Sequence, residues 1–578
     1  MHREWIIPPP WTRRKDAAAR LGTSPSIAQL LHNRGLDDDE AARRFLDPKL
    51  TDLVPPERMP GAMEAADLLA DAIRDGHHIV IYGDYDVDGI AGTAVLWHAL
   101  RRLGAGVDFY VPHRLEEGYG LNAEAVAKLA ADGAQTIVSV DCGITGHEAA
   151  AVARKRNVRL IITDHHALGD EVPEADAIVH PLLDEACPTR DTCGAGVAFK
   201  LAWALGQRVS GRDRVPDELR EVLVEAMGLV ALATIADVVP LVEENRIFAR
   251  HGLAGLRASN LPGVQALIEA AGLTDTKLDS YHVGFRLAPR LNAAGRMGHA
   301  RLAVELLTRA GEDRAREIAV YLDAQNRNRQ TIERRIVKQA CEMVRAAGMD
   351  SDGCRGIVLA SEKWHAGVIG IVAARLVERF GRPTVLITLE NGSGQGSGRS
   401  VRHFNLHSAL AECGEHLLDF GGHAMAAGLR IDGQRVAAFT EAFIARANQT
   451  LTAADLRGRI ELDAEASLAE LTEPTVRAVL DLGPFGVGNA QPRFATGWVA
   501  LVGEPRPVGR EGEHLQFTVS EGGCQRKAIA FRQAGRAQAL TDARRCRLAF
   551  EPIINEFNGR RSVELHVLDI QTPNDPAR

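Results

Sequence analysis

Three acidic residues at alternating positions, Asp84, Asp86 and Asp88 in the run YGDYDVDG, carry the strongest chemical signal in this chain. Like charges this close repel one another unless a cation neutralises them. The theme recurs at Asp141 in VDCG, at Asp164, His165 and His166 in ITDHH, and at Asp237 in ATIADVVP. The first three clusters follow apolar runs at 78–82, 136–140 and 160–163 that read as buried parallel strands. In open α/β sheets, ligands bind in the crevice outside the carboxyl ends of such strands. Carboxylates and imidazoles converging there offer the donors expected for manganese, magnesium or zinc. Two such ions about 3.5–4 Å apart are a recurrent device for phosphodiester hydrolysis. The residue types therefore point to a two-metal phosphoesterase.

Rival readings of the single motifs are weaker. Asp84-x-Asp86-x-Asp88-Gly89 also matches the opening of an EF-hand calcium loop, but the closing position holds Val95 where a bidentate Glu is needed. An apolar β-type run precedes it, where that loop would follow a helix. Asp141 alone could simply cap the next helix, and a lone histidine is usually structural. The adjacent Asp164, His165 and His166 are better explained as a ligand beside an acid. Asp237 interrupts an apolar helix-like run, and a buried carboxylate there needs a counter-charge.

Two glycine-rich segments suggest phosphate contacts. GQGSGRS, 394–400, offers backbone N–H groups, hydroxyls and Arg399 in what reads as one loop. Gly421, Gly422 and His423 read as the opening of an Ala-rich helix whose N-terminus could hold an anion. The alternative for each is a plain turn. No Gly-Lys-Ser/Thr follows either segment, so use of a nucleoside triphosphate is not indicated.

These side chains need a frame. The chain has 578 residues, enough for three or four domains, with 46% hydrophobic and 25% charged residues. Aromatics are only 5%, so the cores must rest on Ala, Leu and Val. The N-terminus lacks the apolar core of a secretory signal, and the longest uncharged apolar stretch, 226–236, is far short of the ~20 residues that span a bilayer. The eight cysteines form no CxxC pair, which favours a reduced, cytoplasmic protein over a disulfide framework or zinc ribbon. A net charge of −8 argues against indiscriminate coating of nucleic acid but leaves room for a local basic groove. Arg286, Arg290, Arg296 and Arg301, followed by Arg327, Arg329, Arg334 and Arg335, are the candidates, against the plainer reading of solvated helix faces.

The pattern divides the chain into an N-terminal cap region (1–60), a βαβ-type catalytic domain (61–255), a helical connector (256–350), a second α/β domain (351–455) and a β-rich C-terminal domain (456–578). Within these, helices are expected over 62–75 and 91–103, each closed by a glycine. A charged, Gly- and Pro-free run from Glu312 to about Ala347 reads as one long helix joining two lobes. Short strands at 498–502, 514–519, 527–531, 547–551 and 563–570 suggest a small barrel of the OB type, a fold that binds single strands.

As an ordered set, the motifs resemble the DHH phosphoesterase superfamily, and within it the exonucleases specific for single-stranded DNA. The resemblance rests on YGDYDVDGIAGTA, VPHRLEEGYGLN, VDCGIT, ITDHHALGD, CGAGVAFKL, ATIADVVPL and APRLNAAGRMGHA. It continues through WHAGVIGIVAARL, GSGRSV and FGGHAMAAGL, which look like the DHH-associated domain, to LGPFGVGNAQPRF and NEFNGRRSVELHVLDI, which look like an OB-fold. It implies an α/β fold: a DHH-type parallel-sheet domain and a DHH-associated domain joined by a long helix, followed by an OB-fold-like β-barrel.

The resemblance further implies that Asp86, Asp88, Asp141, His165 and Asp237 bind two divalent cations, manganese or magnesium, with Asp141 between them. His166 would be the general acid or hold the scissile phosphate, and Asp84 would orient the ligands. Arg114, Arg296, Ser397, Arg399 and His423 match phosphate- or DNA-binding positions. Tyr82 stands where many small DHH phosphatases have a histidine, and His180 where asparagine is usual, both departures from the pattern. The implied activity is hydrolysis of single-stranded DNA from the 5′ end to 5′-mononucleotides, in repair and recombination. Its implied associates are single-strand-binding protein and a helicase, with a monomeric chain away from membranes. The competing readings are a DHH phosphodiesterase for short oligonucleotides or cyclic dinucleotides, and an inactive single-strand-binding scaffold.

Overall fold

This computed structural model describes residues 3–113, 117–211, 214–296, 298–456, 458–557 and 559–575. The first sheet has five parallel strands in the spatial order Gly106–Tyr110, His78–Gly83, Thr136–Val140, Arg159–Thr163, Ala177–Val179. The order of winding reverses between His78–Gly83 and Thr136–Val140, which opens a crevice at their carboxyl ends. The apolar runs are continuous because both faces are covered. Ile79, Ile81, Val138 and Ile161 join the core that also holds Leu69, Ile90 and Leu201 from three helices. Val80, Tyr82, Ile137 and Leu160 meet Val126, Ala149 and Ala150 on the other side.

The expected helices form at Ala62–Arg74 and Val87–Arg102. The second starts earlier than its apolar pattern, because Asp86 caps it: Oδ1 accepts from the N–H of Asp88 at 2.9 Å and of Gly89 at 3.3 Å. The acidic run is thus a strand-to-helix junction, not a calcium loop. Helices between residues 262 and 308 add Leu267, Leu291 and Val304 to the first core.

The long helix, Glu312–Ala346, spans 35 residues. Its first half buries Ala315, Ile318 and Leu322 in the first lobe, and its second half buries Ile336, Ala340 and Val344 against Trp364 and Val368 of the second. The second lobe's sheet runs Leu417–Gly422, Ala426–Asp432, Ser393–Arg399, Thr384–Glu390, Ile357–Ser361, and only its last pair is parallel.

Two expectations fail in this sheet. GQGSGRS is not a loop but most of the central strand Ser393–Arg399. A Cβ on Gly394, Gly396 or Gly398 would lie 2.7–2.8 Å from Ile431, Leu429 or Leu406, respectively. The glycines recur every second residue because neighbouring apolar side chains fill that face of the strand. His423 opens no helix either. It lies in the turn between Leu417–Gly422 and Ala426–Asp432, with its N–H on the Ala426 carbonyl at 2.8 Å.

The C-terminal barrel is a closed ring of five strands: Val499–Val508, His514–Glu521, Cys524–Ala530, Arg560–Gln571 and Arg545–Phe557, the last pairing back to the first. Closure with a helix, Ala537–Ala543, between Cys524–Ala530 and Arg545–Phe557, the third and fourth strands in chain order, is the OB arrangement. Ile27, Leu30, Leu31 and Phe45 from the N-terminal helices share the core of this barrel with Leu515, Phe517 and Leu548. The chain's two ends therefore form one unit. Buried Arg246 ties it to the first lobe, donating to the carbonyls of Phe45 at 2.8 Å and Gly483 at 3.1 Å. Among the described residues no helix is long and apolar enough to cross a membrane.

Candidate active site

Asp84, Asp141 and Asp164 are each the first residue beyond a strand, and each extends the ladder by one backbone bond. Their N–H groups donate to Val140, Thr163 and Val179 at 3.1, 3.0 and 3.2 Å. This register places all three carboxylates along the carboxyl edge of the sheet, with Asp84 and Asp141 at its switch point and Asp164 one strand further on. Asp141 takes a left-handed backbone (φ 64°), a conformation that favours glycine and is strained for an aspartate. Gly194 lies so close that a Cβ there would sit 2.7 Å from the Asp141 Cβ, so only glycine fits.

Asp88 is gripped by the N-terminus of helix Gly194–Ser210, accepting from Gly194 N–H at 2.6 Å and Ala195 N–H at 2.7 Å. Asp237 terminates helix Asp217–Ala236. His165 Nε2 lies 3.2 Å from Asp141 Oδ1 and 3.6 Å from both Asp88 Oδ2 and Asp237 Oδ2. Among the described residues, three donor groups with ligand atoms within 4.8 Å of one another result: Asp84, Asp86 and Asp141; Asp88, His165 and Asp237; Asp141, His165 and His166. Asp141 and His165 each belong to two of them.

The electrostatics suit cations. Burial, then the charges of Asp88, Asp86, Asp84 and Asp237, pushes Asp141 well above the usual carboxylate range. Burial and the neighbouring Asp88 and Asp86 lift Asp237 to about 8, and burial also raises Asp88. Burial lowers His165, leaving the neutral ring a metal ligand requires. Asp141 Oδ1 and His165 Nε2 are buried and make no hydrogen bond. Orphaned acceptors among repelling carboxylates are satisfied by divalent ions, and the donor set fits manganese or magnesium.

His166 differs from its neighbour. Burial would lower it, but a 2.7 Å contact with Asp164 and the surrounding carboxylates raise it to about 9. Asp164 is held at about 2, the His166 contact outweighing burial, and it also accepts from Ile144 N–H at 3.0 Å. A protonated imidazole at the rim can hold a phosphate oxygen or deliver a proton.

Sequence reasoning missed two residues here. The Tyr119 hydroxyl lies 2.9 Å from His166 Nδ1, and Asn292 Oδ1 accepts the Val87 N–H at 3.2 Å, bracing the acidic junction. Both sit inside motifs quoted above, EGYGLN and APRLNAAGRM, which was the available signal. Tyr82 is wholly buried, donates to the Gly120 carbonyl at 3.1 Å and lies outside the three donor groups. His180, also buried, accepts from Leu182 N–H on Nδ1 at 3.1 Å and contacts the His166 carbonyl through Nε2 at 2.9 Å, fixing the DHH turn.

The expected substrate contacts fall mainly on the second lobe. Arg296 Nη1 donates across the lobes to the Gly367 carbonyl at 3.0 Å. Arg399 Nη1 donates to Ser397 Oγ at 3.2 Å and the Gly398 carbonyl at 2.7 Å, beside Gly370 of helix Ala366–Phe380. His423 is exposed in its turn. Arg114 lies outside the described residues. Of the basic run, Arg290 is an internal tie, 2.8 Å from Asp323.

Fold and site define a DHH phosphoesterase. Residues 78–234 match the DHH family N-terminal domain, 354–450 the DHHA1 domain and 462–569 the RecJ OB domain. The chain belongs to the family of the single-stranded-DNA-specific exonuclease RecJ. It is 38% identical to the Bacillus subtilis (strain 168) protein of that name over 96% of this chain and 69% of that one. With the Escherichia coli (strain K12) protein it shares 36% identity, over 94% of this chain and 96% of that one. The crystal structure of RecJ in complex with Mn2+ from Thermus thermophilus is similar at 32% identity with a TM-score of 0.84, covering 99% of this chain and 80% of that one. A second, with Mg2+ from the same organism, gives 31% identity and a TM-score of 0.79, covering 99% and 79%.

Proposed function

We propose that this chain is a metal-dependent exonuclease that digests single-stranded DNA from its 5′ end, releasing 5′-mononucleotides. The observation that carries this reading is the His165 imidazole set among Asp88, Asp141 and Asp237 at 3.2–3.6 Å, with its Nε2 buried and unbonded. Support comes from the relatives named single-stranded-DNA-specific exonuclease RecJ and from the Mn2+ and Mg2+ complexes of the Thermus thermophilus protein.

Asp86, Asp88, Asp141, His165 and Asp237 would hold two manganese or magnesium ions, with Asp141 shared. When bound, the ions lower the pKa of water and stabilise charge on the phosphodiester. Asp84 orients the ligand set, and Asp164 holds His166 protonated. His166 then grips a non-bridging oxygen of the scissile phosphate or gives its proton to the departing 3′ oxygen. Arg296, Ser397, Arg399, His423 and Arg114 would receive the phosphates of the strand, and the two lobes would admit one strand and exclude a duplex sterically. The reading extends to a cytoplasmic monomer that works on strands exposed by a helicase and covered by single-strand-binding protein.

The test is digestion of end-labelled single- and double-stranded DNA with manganese or magnesium. Single strands shortened from the 5′ end to mononucleotides are expected. Activity confined to di- or trinucleotides would favour the small phosphodiesterase reading, and binding without hydrolysis would favour an inactive scaffold.

A further inference from the structure

Ser280–His282, Val283–Leu287 and Ala288–Arg296 form one continuous helical rod, with its middle segment wound as a π-helix. Such widened turns are rare and concentrate at functional sites. One face of the rod, with Val283, Leu287, Leu291 and Ala294, is buried in the first core. Another face carries Tyr281, Phe285, Pro289, Asn292 and Arg296, spaced by about one turn each, none of them buried.

Tyr281 and Phe285 are 60% and 63% exposed, with rings stacked at 4.8 Å between centroids and 29° between planes. The core does not use them. Their stripe nevertheless runs between the functional parts of the molecule. At its outer end the Ser280 hydroxyl donates to the Phe485 carbonyl of the C-terminal unit at 2.5 Å. At its inner end Asn292 braces the acidic junction through Val87, and Arg296 reaches Gly367 of the second lobe. Phe285 precedes Asn292 by about 10 Å of helix rise, room for roughly three stacked bases at about 3.4 Å each. None of the five residues of the stripe is acidic, so nothing in it repels a phosphate backbone.

Resting on the exonuclease reading, we propose that Tyr281 and Phe285 are a base-stacking step for the single strand between the C-terminal unit and the metal centre. Every base offers a π face, so the step accepts any sequence. It holds bases on the 3′ side of the scissile phosphate and keeps the strand in line between successive cleavages.

The test is equilibrium binding of 5′-phosphorylated oligonucleotides to the full chain in EDTA, followed by anisotropy and by 2-aminopurine quenching. Because no hydrolysis is involved, its outcome is independent of whether the wild type digests DNA. Tyr281→Ala/Phe285→Ala should bind a 12-mer on the order of tenfold more weakly or worse. A dinucleotide should bind unchanged, quenching at the stacked positions should fall, and Tyr281→Trp/Phe285→Trp should restore both signals. Unchanged 12-mer affinity and quenching in the alanine variant would overturn the proposal and leave the pair as a surface for a protein partner. Equal weakening for 12-mer and dinucleotide would overturn it as well, since the damage would then lie in the site itself.

Discussion

His165 Nε2 and Asp141 Oδ1 face each other at 3.2 Å, both buried and neither hydrogen-bonded. Asp141 also belongs with Asp84 and Asp86, so one carboxylate joins two sets of donors. Asp141→Ala should therefore abolish hydrolysis while the fold persists. The expected loss exceeds the ~100-fold typical for supporting groups around a metal. Steady-state rates beside a thermal melt check this, and retention of more than about a tenth of the wild-type rate contradicts a shared ligand.

The raised carboxylates give metal binding and stability opposite pH trends. Asp237 is lifted to about 8 by burial and its acidic neighbours, above its usual value near 4. A carboxyl raised on folding stabilises the metal-free protein at low pH, and that contribution is lost as pH rises toward 8. Divalent ions must displace the same proton, so they bind more tightly across the same interval. The rise in Tm on adding Mn2+ should accordingly be larger at pH 8.5 than at pH 6. Melts with EDTA and with Mn2+ at both pH values decide it, and an equal rise would show that Asp237 does not ligate the ion.

The acidic cluster was legible in the sequence because most of its residues lie just beyond strand ends, Asp237 at a helix end being the exception. An apolar run followed by an acid specifies both the strand and the exit where the side chain must point, as at Asp84, Asp141 and Asp164. The barrel strands were legible for a related reason: each is one β-patterned run, though the structure extends most of them, as in Arg545–Phe557. The Gly394–Ser400 segment was misread because glycine lacks a side chain to show alternation. The apolar face it serves belongs to Ile431, Leu429 and Leu406, remote in sequence. The placement of residues 27–45 on the barrel was hidden likewise, since nothing local says which core an amphipathic helix will join.

That shared core dictates how the barrel can be removed. Deleting residues from 456 onward would strand Ile27, Leu30, Leu31 and Phe45 without a partner surface. A chain of residues 49–455 avoids this and keeps every proposed ligand. It should cleave short strands at near the full-length rate but bind long ones more weakly, by about 1–3 kcal/mol for each stacked base lost. Rates against substrate length test the point. Equal losses on short and long strands would instead implicate the contact between Leu241 N–H and the Val487 carbonyl, 2.7 Å, which supports the loop after Asp237.

Arg399 stands at the end of a strand whose inner face is closed by neighbouring side chains, so its guanidinium is held by a rigid element. It reaches Ser397 Oγ at 3.2 Å and lies beside Gly370, where a Cβ would approach it to 3.1 Å. Arginine and a hydroxyl on one strand, near the start of helix Ala366–Phe380, are suited to gripping a terminal phosphate. Arg399→Ala should leave the metal ligands untouched and weaken engagement of a 5′-phosphorylated end by roughly 1.5–3 kcal/mol, the range of a charge-assisted contact. The measurement is kcat/KM on 5′-phosphate and 5′-hydroxyl strands for both proteins. A ratio between the two substrates that is the same in variant and wild type would mean that Arg399 does not read the 5′ end. Its bonds to Ser397 and Gly398 would then be structural ties within the central strand of the second lobe.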